Sequence, residues 1–180
     1  MLELKGWKVW FPLTVMMAAL VAMTATPSIA ADDQGEAKLE LAGKSIVVTY
    51  GRPSTDGKGY KSMKDGVPEG FMWRLGKNNA TTLESDADLK FGDVTVEAGK
   101  YSLVGKKTKD GWDLLVHPNA NRWGSPVPEE GYIATIPLKV SKPDEEAKLM
   151  TIELKEKDGK GMFALIWGDQ ELSTMFEVAE

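Results

Sequence analysis

Apolar and polar residues alternate along most of the chain beyond residue 38, and glycine-containing turns separate the alternating segments. A period of two residues is typical of a β-strand with one buried and one solvated face. No segment keeps the 3.6-residue period of a helix for long, although the connection 52–70 has room for one short helix. The four clearest alternating segments are 46–50, 112–117, 150–155 and 172–178.

Two Asp-Gly pairs separate segments that are suited to form hairpins. Asp-Gly favours tight hairpin turns because both residues tolerate a positive φ. The pairs and the strands that they join are Asp110-Gly111 between 100–106 and 112–117, and Asp158-Gly159 between 148–156 and 161–167. We therefore predict an all-β fold of eight to ten short strands. The preferred arrangement is a single antiparallel β-sandwich, jelly-roll-like or related, with a small barrel as the alternative.

The first thirty residues differ in character from the rest of the chain. Lys5 and Lys8 precede an apolar segment at 9–23, and Ser28-Ile29-Ala30 has the small residues that signal peptidase prefers. The apolar segment is shorter than the ~20 residues of a membrane-spanning helix. We predict a signal peptide at 1–30, a flexible lead at 31–37 and one domain at 38–180, exported to the periplasm or secreted. An uncleaved anchor is the alternative.

Composition narrows the classes of function. Residues 31–180 contain 20 Lys and Arg against 26 Asp and Glu, a net charge of −6, which disfavours binding to nucleic acid or to an anionic membrane surface. The chain has no cysteine, so thiolate catalysis, disulfides and cysteine-ligated zinc are excluded. A single histidine excludes any site with two histidine ligands. We expect neither a metal nor a cofactor.

A set of residues from the second predicted strand to the next resembles a family signature. Its members are Tyr50, Arg52, Pro53, Pro68, Gly70, Trp73, Arg74, Gly76, Asn79, Ala80, Thr81 and Thr82. Together with the hairpin segment 98–103, this pattern resembles the bacterial exported family known as domain of unknown function 2911. The resemblance extends over roughly 38–178. It implies an exported β domain, and because the family has no established activity, it implies no reaction.

Arginine is the most informative charged residue, because the chain has only three arginines, Arg52, Arg74 and Arg122, beside nineteen lysines. A planar, always-charged, multidentate donor is needed where a generic positive charge does not suffice. We predict a polar cleft in which Arg52 and Arg74 face an anionic or hydroxylated ligand, with Asn79 and Thr81 beside them. The alternative is that each arginine pairs with an internal carboxylate and attaches the long connection 52–70 to the sheet.

Three further residues complete the predicted ligand site. Trp73 lies next to Arg74, and Trp123 lies in an irregular loop where an indole ring is free to stack on a ligand. His117 ends a predicted strand, and a structural role is the alternative for it. No Gly-x-Ser-x-Gly motif accompanies His117, so the sequence contains no local frame for a nucleophile.

We favour a non-catalytic, envelope-associated module that binds a small polar or anionic ligand or a partner protein. One alternative is a hydrolase that uses Arg74, His117 and a carboxylate. The other is a structural interaction domain that adds an edge strand to a partner. A closed pocket around His117 and an acid would favour the enzyme, whereas a shallow groove with an aromatic side chain would favour glycan binding.

Overall fold

Strands form most of the regular structure in the computed structural model, which describes residues 33–179. One eight-residue helix, α1, spans Lys58–Asp65. The strands are β1 Gln34–Leu41, β2 Lys44–Gly51, β3 Met72–Trp73, β4 Thr81–Ser85, β5 Leu89–Phe91, β6 Val94–Val96, β7 Gly99–Lys107, β8 Trp112–His117, β9 Ala134–Ser141, β10 Ala147–Lys157, β11 Lys160–Gly168 and β12 Gln170–Val178.

All strand pairs are antiparallel, and the main sheet has the order β1-β2-β4-β7-β8-β9-β12-β11-β10. The two ends of this order approach each other, so that the sheet is nearly closed into a barrel. Tyr50 Oη donates to the Ile152 carbonyl oxygen at 3.2 Å, and the Met150 amide donates to the Pro53 carbonyl oxygen at 2.9 Å. These bonds join the end of β2 to β10, and we call this region the seam.

The structure confirms the all-β class and both Asp-Gly hairpins. Asp158 and Gly159 have φ values of 53° and 77°, as a tight turn between β10 and β11 requires. The sheet curls into one nearly closed barrel, the arrangement considered beside the sandwich. Residues 33–179 form twelve strands where the sequence predicts eight to ten, because β3, β5 and β6, with two or three residues each, are too short to show a period.

The N-terminal boundary of the sheet also differs from the prediction. β1 begins at Gln34, inside the segment expected to be a flexible lead, and it pairs with β2 from its first residue. Ala37 supplies the physical reason, because its small apolar side chain is buried in the core. The connection 52–70 contains the short helix for which it had room. The predicted signal peptide at 1–30 lies outside the described residues.

The barrel interior holds the main hydrophobic core. Trp73 stacks on Trp167 with ring centroids 5.5 Å apart, and its ring meets Trp112 edge-on at 5.7 Å. Burial of such aromatic side chains contributes roughly 1.5–3 kcal/mol or more each to folding. The three tryptophans lie near one end of the barrel, where β11 ends and β12 begins, and we call this end the mouth.

Helix α1 lies at the mouth. Its Tyr60 ring meets Trp167 edge-on, with centroids 5.2 Å apart. Tyr60 Oη donates to Asp169 Oδ1 at 3.0 Å, and Lys64 Nζ lies 2.9 Å from Asp169 Oδ2. The Lys64 ammonium and the Tyr60 hydroxyl lower the pKa of Asp169, so its carboxylate stays charged at neutral pH. A single side chain of the β11–β12 turn therefore anchors the helix through two bonds.

Candidate functional site

A cleft of about 410 Å³ opens on the outer surface of the sheet, over β1, β2 and β4. We call it the Trp123 cleft. Hydroxyl, amide and cationic side chains make up most of its lining. The lining residues are Asp33, Gln34, Thr49, Tyr50, Gly51, Lys77, Asn78, Asn79, Ala80, Thr82, Lys100, Ala120, Asn121, Arg122 and Trp123.

Strand register places a row of polar residues on the outer face of the sheet. Thr49 pairs with Thr82, Thr82 with Ser102, and Ser102 with His117, across β2, β4, β7 and β8. Their chain neighbours, such as Val48, are buried in the barrel core, so the row faces the opposite side. Thr49 and Thr82 form the floor of the cleft.

The connection between β8 and β9, residues 118–133, forms the roof. The Ala80 amide donates to the Arg122 carbonyl oxygen at 3.2 Å, and the Gly124 amide donates to the Asn78 carbonyl oxygen at 2.9 Å. These bonds hold Trp123 beside the cleft, where its side chain is 58% exposed. A large indole ring held by backbone hydrogen bonds yet left in solvent is suited to cover a ligand.

The Arg122 side chain bonds both to the roof and to the sheet beneath it. Its Nη1 donates to the carbonyl oxygens of Trp123 at 2.9 Å and Pro126 at 3.2 Å, and its Nε donates to Ser102 Oγ at 3.3 Å. Nη2 is buried and has no hydrogen-bond partner in the structure. Burial lowers the pKa of Arg122 from its ordinary value, and the group stays charged at neutral pH. The roof thus contains a guanidinium group whose Nη2 donates no hydrogen bond.

The cleft has an excess of positive charge. Lys77 pairs with Asp33, and Lys100 pairs with Glu84 at 2.8 Å. Among residues 33–179, no carboxylate oxygen lies within 4.0 Å of an arginine nitrogen, so Arg122 has no such counter-charge. A buried cation without a carboxylate favours an anionic group nearby.

In the Trp123 cleft the structure brings together two of the seven residues predicted for a ligand site. Asn79 and Trp123 face each other in an isolated β-bridge, and both line the Trp123 cleft. Arg74 lies on the other side of the roof, with its Cδ beside Gly124, and its Nε donates to the Gly76 carbonyl oxygen at 3.0 Å. Arg74 does not line the Trp123 cleft, and it lines a cavity at the barrel mouth.

Arg52 lies at the seam. Its Nε donates to the Met150 carbonyl oxygen at 3.4 Å, and its Nη2 donates to Thr151 Oγ1 at 3.4 Å. Arg52 therefore attaches the start of the long connection to β10, as the structural alternative required, but through a carbonyl and a hydroxyl oxygen in place of a carboxylate. It does not line the Trp123 cleft.

Two other predicted residues belong to the scaffold. Thr81 is fully buried, and its Oγ1 donates to the Leu75 carbonyl oxygen at 2.7 Å. Leu75 has a φ of 52°, a conformation that is uncommon for a leucine, and this bond helps to hold it. Trp73 is buried in the aromatic cluster of the core.

His117 lies at the far end of the polar row. Its Nδ1 accepts the Asn119 amide at 3.1 Å, and its ring meets Tyr132 edge-on with centroids 5.5 Å apart. Within the described range, no carboxylate lies within 4.0 Å of the imidazole. The arrangement lacks the orienting acid that a histidine general base normally has.

Sequence reasoning missed most of the cleft. The sequence marks Arg122 as the third scarce arginine, but nothing in its surroundings links it to the segment 77–82. The signal was available in part, because Arg122 and Trp123 are adjacent in an irregular connection of sixteen residues, 118–133. Connections of that length are uncommon unless they carry function.

Neither a metal centre nor a membrane span is found in the part of the chain that the structure describes. Residues 33–179 contain no group of three His, Asp or Glu side chains that could hold a metal ion. No helix in the same range has both the length and the apolar character to cross a membrane.

Comparison with known proteins identifies one relationship. No curated protein and no solved structure matches the chain significantly. A family model described as "Protein of unknown function (DUF2911)" matches residues 32–176, which includes the whole barrel apart from the last residues of β12. This match confirms the resemblance found in the sequence signature: the chain belongs to the DUF2911 family.

Proposed function

We propose that this protein is a non-catalytic binding module whose Trp123 cleft receives a small, hydroxylated ligand with one negative charge. An acidic sugar is the ligand class that has these properties. The proposal depends on one observation. An exposed Trp123 ring and an Arg122 side chain without a carboxylate partner among the described residues line the same polar cleft.

Each part of the cleft suits one part of such a ligand. The Trp123 ring offers an apolar face on which the C–H groups of a sugar ring can stack. Thr49, Thr82 and Asn79 offer hydroxyl and amide groups for the ligand hydroxyls. Arg122 supplies the positive charge that attracts a carboxylate. Small-molecule sites typically combine an aromatic surface with a few fixed polar groups in this way.

The competing functions receive less support from the geometry. A hydrolase would need an acid beside His117, and the described residues place none there. A structural interaction domain would need a long free strand edge, whereas the start of β10 is already bonded to residues 53–55, from the Met150 amide to the Pro53 carbonyl oxygen and from the Thr55 amide to the Lys148 carbonyl oxygen.

We also propose export, based on the basic start, apolar segment and small residues of 1–30. A binding module in the periplasm or outside the cell would meet acidic sugars of the envelope directly. The mass of the purified protein from its native host tests this proposal. A mature chain that begins at Ala31 is expected, and a full-length chain would contradict it.

Three sugars with the same ring test the cleft by isothermal titration calorimetry. We expect glucuronate to bind, glucose to bind at least tenfold more weakly because it lacks the charge, and glucosamine to bind most weakly because it is cationic. Trp123→Ala should weaken glucuronate binding at least tenfold with little change in stability, because the ring is mostly exposed.

Ile133→Ala is the matched control. Ile133 is 54% exposed, in the same connection as Trp123, but it does not line the cleft. We expect the Ile133→Ala variant to bind glucuronate with the same affinity as the unmodified protein. Equal binding of all three sugars, or equal losses in the two variants, would show that the cleft is not the site.

A further inference from the structure

A further cavity lies at the barrel mouth, and its lining shares Lys77 with the Trp123 cleft. Beneath α1 lies a cavity of about 470 Å³, which we call the mouth cavity. Its walls are mainly apolar side chains of the helix, of the connection that follows it and of the barrel core. They include Pro53, Met63, Val67, Phe71, Trp73 and Trp167.

Helix α1 fills the mouth incompletely. None of its residues is fully buried, although Tyr60 and Met63 pack against the core. A second cavity of about 500 Å³ lies on the other side of the helix and shares Met63, Trp73 and Trp167 with the mouth cavity. Two concave spaces that open on either side of one short helix and share tryptophan walls offer room for a small ligand.

Two residues that line the mouth cavity, Trp167 and Arg74, carry polar groups whose bonding or charge is incompletely satisfied. The indole N–H of Trp167 is buried and has no hydrogen-bond acceptor in the structure. Such an unsatisfied donor costs about 1–3 kcal/mol, and an oxygen atom placed beside it would recover that energy. Arg74 also lines the cavity, and no carboxylate lies within 4.0 Å of it among the described residues.

The charges around the mouth have one predominant sign. Lys64 and Lys142 line the second cavity, and Lys77 lines the mouth cavity together with Arg74. Asp169 is the acidic residue that lines either cavity, and it pairs with Lys64. Lys77 pairs with Asp33, so Arg74 and Lys142 are the lining cations with no carboxylate within 4.0 Å among residues 33–179. A cationic rim on a chain of net negative charge attracts an anion selectively.

We propose that the mouth cavity binds a small amphiphilic carboxylate, whose apolar body lies against the two tryptophans and whose carboxylate meets Arg74. Met63, Val67 and Phe71 enclose the body from the helix side. Helix α1, which the polar bonds of Tyr60 and Lys64 to Asp169 hold against the barrel, forms one wall of this site.

A series of eight-carbon compounds tests the proposal by calorimetry on the unmodified protein. Octanoate should bind saturably at one site per chain. 1-Octanol should bind at least tenfold more weakly because it has no charge for Arg74, and octylammonium more weakly still. Absence of saturable octanoate binding, or equal affinities for octanoate and octylammonium, would overturn the proposal.

Variants locate the site. Arg74→Gln should reduce the affinity for octanoate to that for octanol and leave octanol binding unchanged. Trp167→Phe keeps an aromatic ring but removes the N–H, and it should weaken octanoate binding at least twofold. Lys109→Gln, at an exposed residue of the β7–β8 turn, is the control and should change neither affinity.

One comparison separates this proposal from the proposed function of the Trp123 cleft. Trp123→Ala should leave octanoate binding unchanged, and saturating glucuronate should not displace octanoate. Loss of octanoate binding in Trp123→Ala would place octanoate in the cleft and overturn the mouth site. If Arg74→Gln does not fold, the ligand series on the unmodified protein still decides the question.

Discussion

Replacing Gly51 by alanine is expected to lower the free energy of unfolding by about 3 kcal/mol or more. A methyl group at this position would overlap the Lys77 carbonyl oxygen, and it would lie 2.8 Å from the carbonyl carbon and amide nitrogen of that residue. Real Cβ atoms do not approach other atoms so closely, and a backbone segment cannot rotate away as a side chain can. The segment 76–77 would have to move away from β2.

Chemical denaturation measures this loss, and Gly111→Ala is its control. A Cβ at Gly111 would make ordinary contacts at 3.5 Å or more, and Gly111 does not have a positive φ. We expect its effect to stay within about 0.5 kcal/mol. Similar stabilities of the two alanine variants would mean that β2 and the segment 76–77 are not as closely packed as described.

Substitutions of two adjacent threonines should distinguish a residue that stabilises the fold from a residue that binds the ligand. Thr81→Val preserves shape but removes the hydrogen bond to the buried Leu75 carbonyl oxygen, so it should destabilise the protein by about 2 kcal/mol. Thr82→Val changes a partly exposed residue on the cleft floor, and it should weaken glucuronate binding severalfold at nearly unchanged stability.

Thermal denaturation and calorimetry on the same two variants give the test. We expect Thr81→Val to retain the affinity for glucuronate once it is measured well below its melting temperature. The opposite pattern, with stability lost in Thr82→Val and binding lost in Thr81→Val, would reverse the assignment of inner and outer faces in β4.

Local chemistry made part of this fold predictable. The Asp158-Gly159 turn requires two positive φ values, and few residue pairs other than Asp-Gly and Asn-Gly tolerate them. Alternation then determines which residues of β10 and β11 face inward. The Asp158-Gly159 hairpin could therefore be predicted, because its turn and the strands beside it are encoded within about twenty residues. The Asp110-Gly111 hairpin forms without a positive φ at either residue, and the alternation in its two strands is what made it predictable.

Closure of the barrel could not be predicted in the same way. The seam joins residues about one hundred positions apart, as in the bond from Tyr50 to the Ile152 carbonyl oxygen. The alternation of apolar and polar residues indicates strands, but it does not indicate which distant strands bond to each other. The close approach of Gly51 to Lys77 is likewise invisible in the sequence, since a glycine in a strand is equally compatible with a bulge or a weak edge.

The arginines illustrate why the candidate site was only partly predictable. Their scarcity suggests special roles, and the expected partners are a ligand or an internal carboxylate. Arg52 and Arg122 instead donate to backbone carbonyl and hydroxyl oxygens, which every segment offers and no motif marks. Trp123 is the residue of the candidate cleft that the sequence singles out most directly, because an exposed aromatic side chain in an irregular connection can mark a binding surface.

The most direct test of the account is a two-dimensional ¹H–¹⁵N NMR titration of the isotope-labelled protein with glucuronate. The account predicts saturable shifts of the Trp123 indole N–H and of the backbone amides of Asn79 and Thr82, with the Trp167 indole N–H unmoved. Shifts confined to the barrel mouth, or no saturable shifts at millimolar glucuronate, would contradict the assignment of the Trp123 cleft as the binding site.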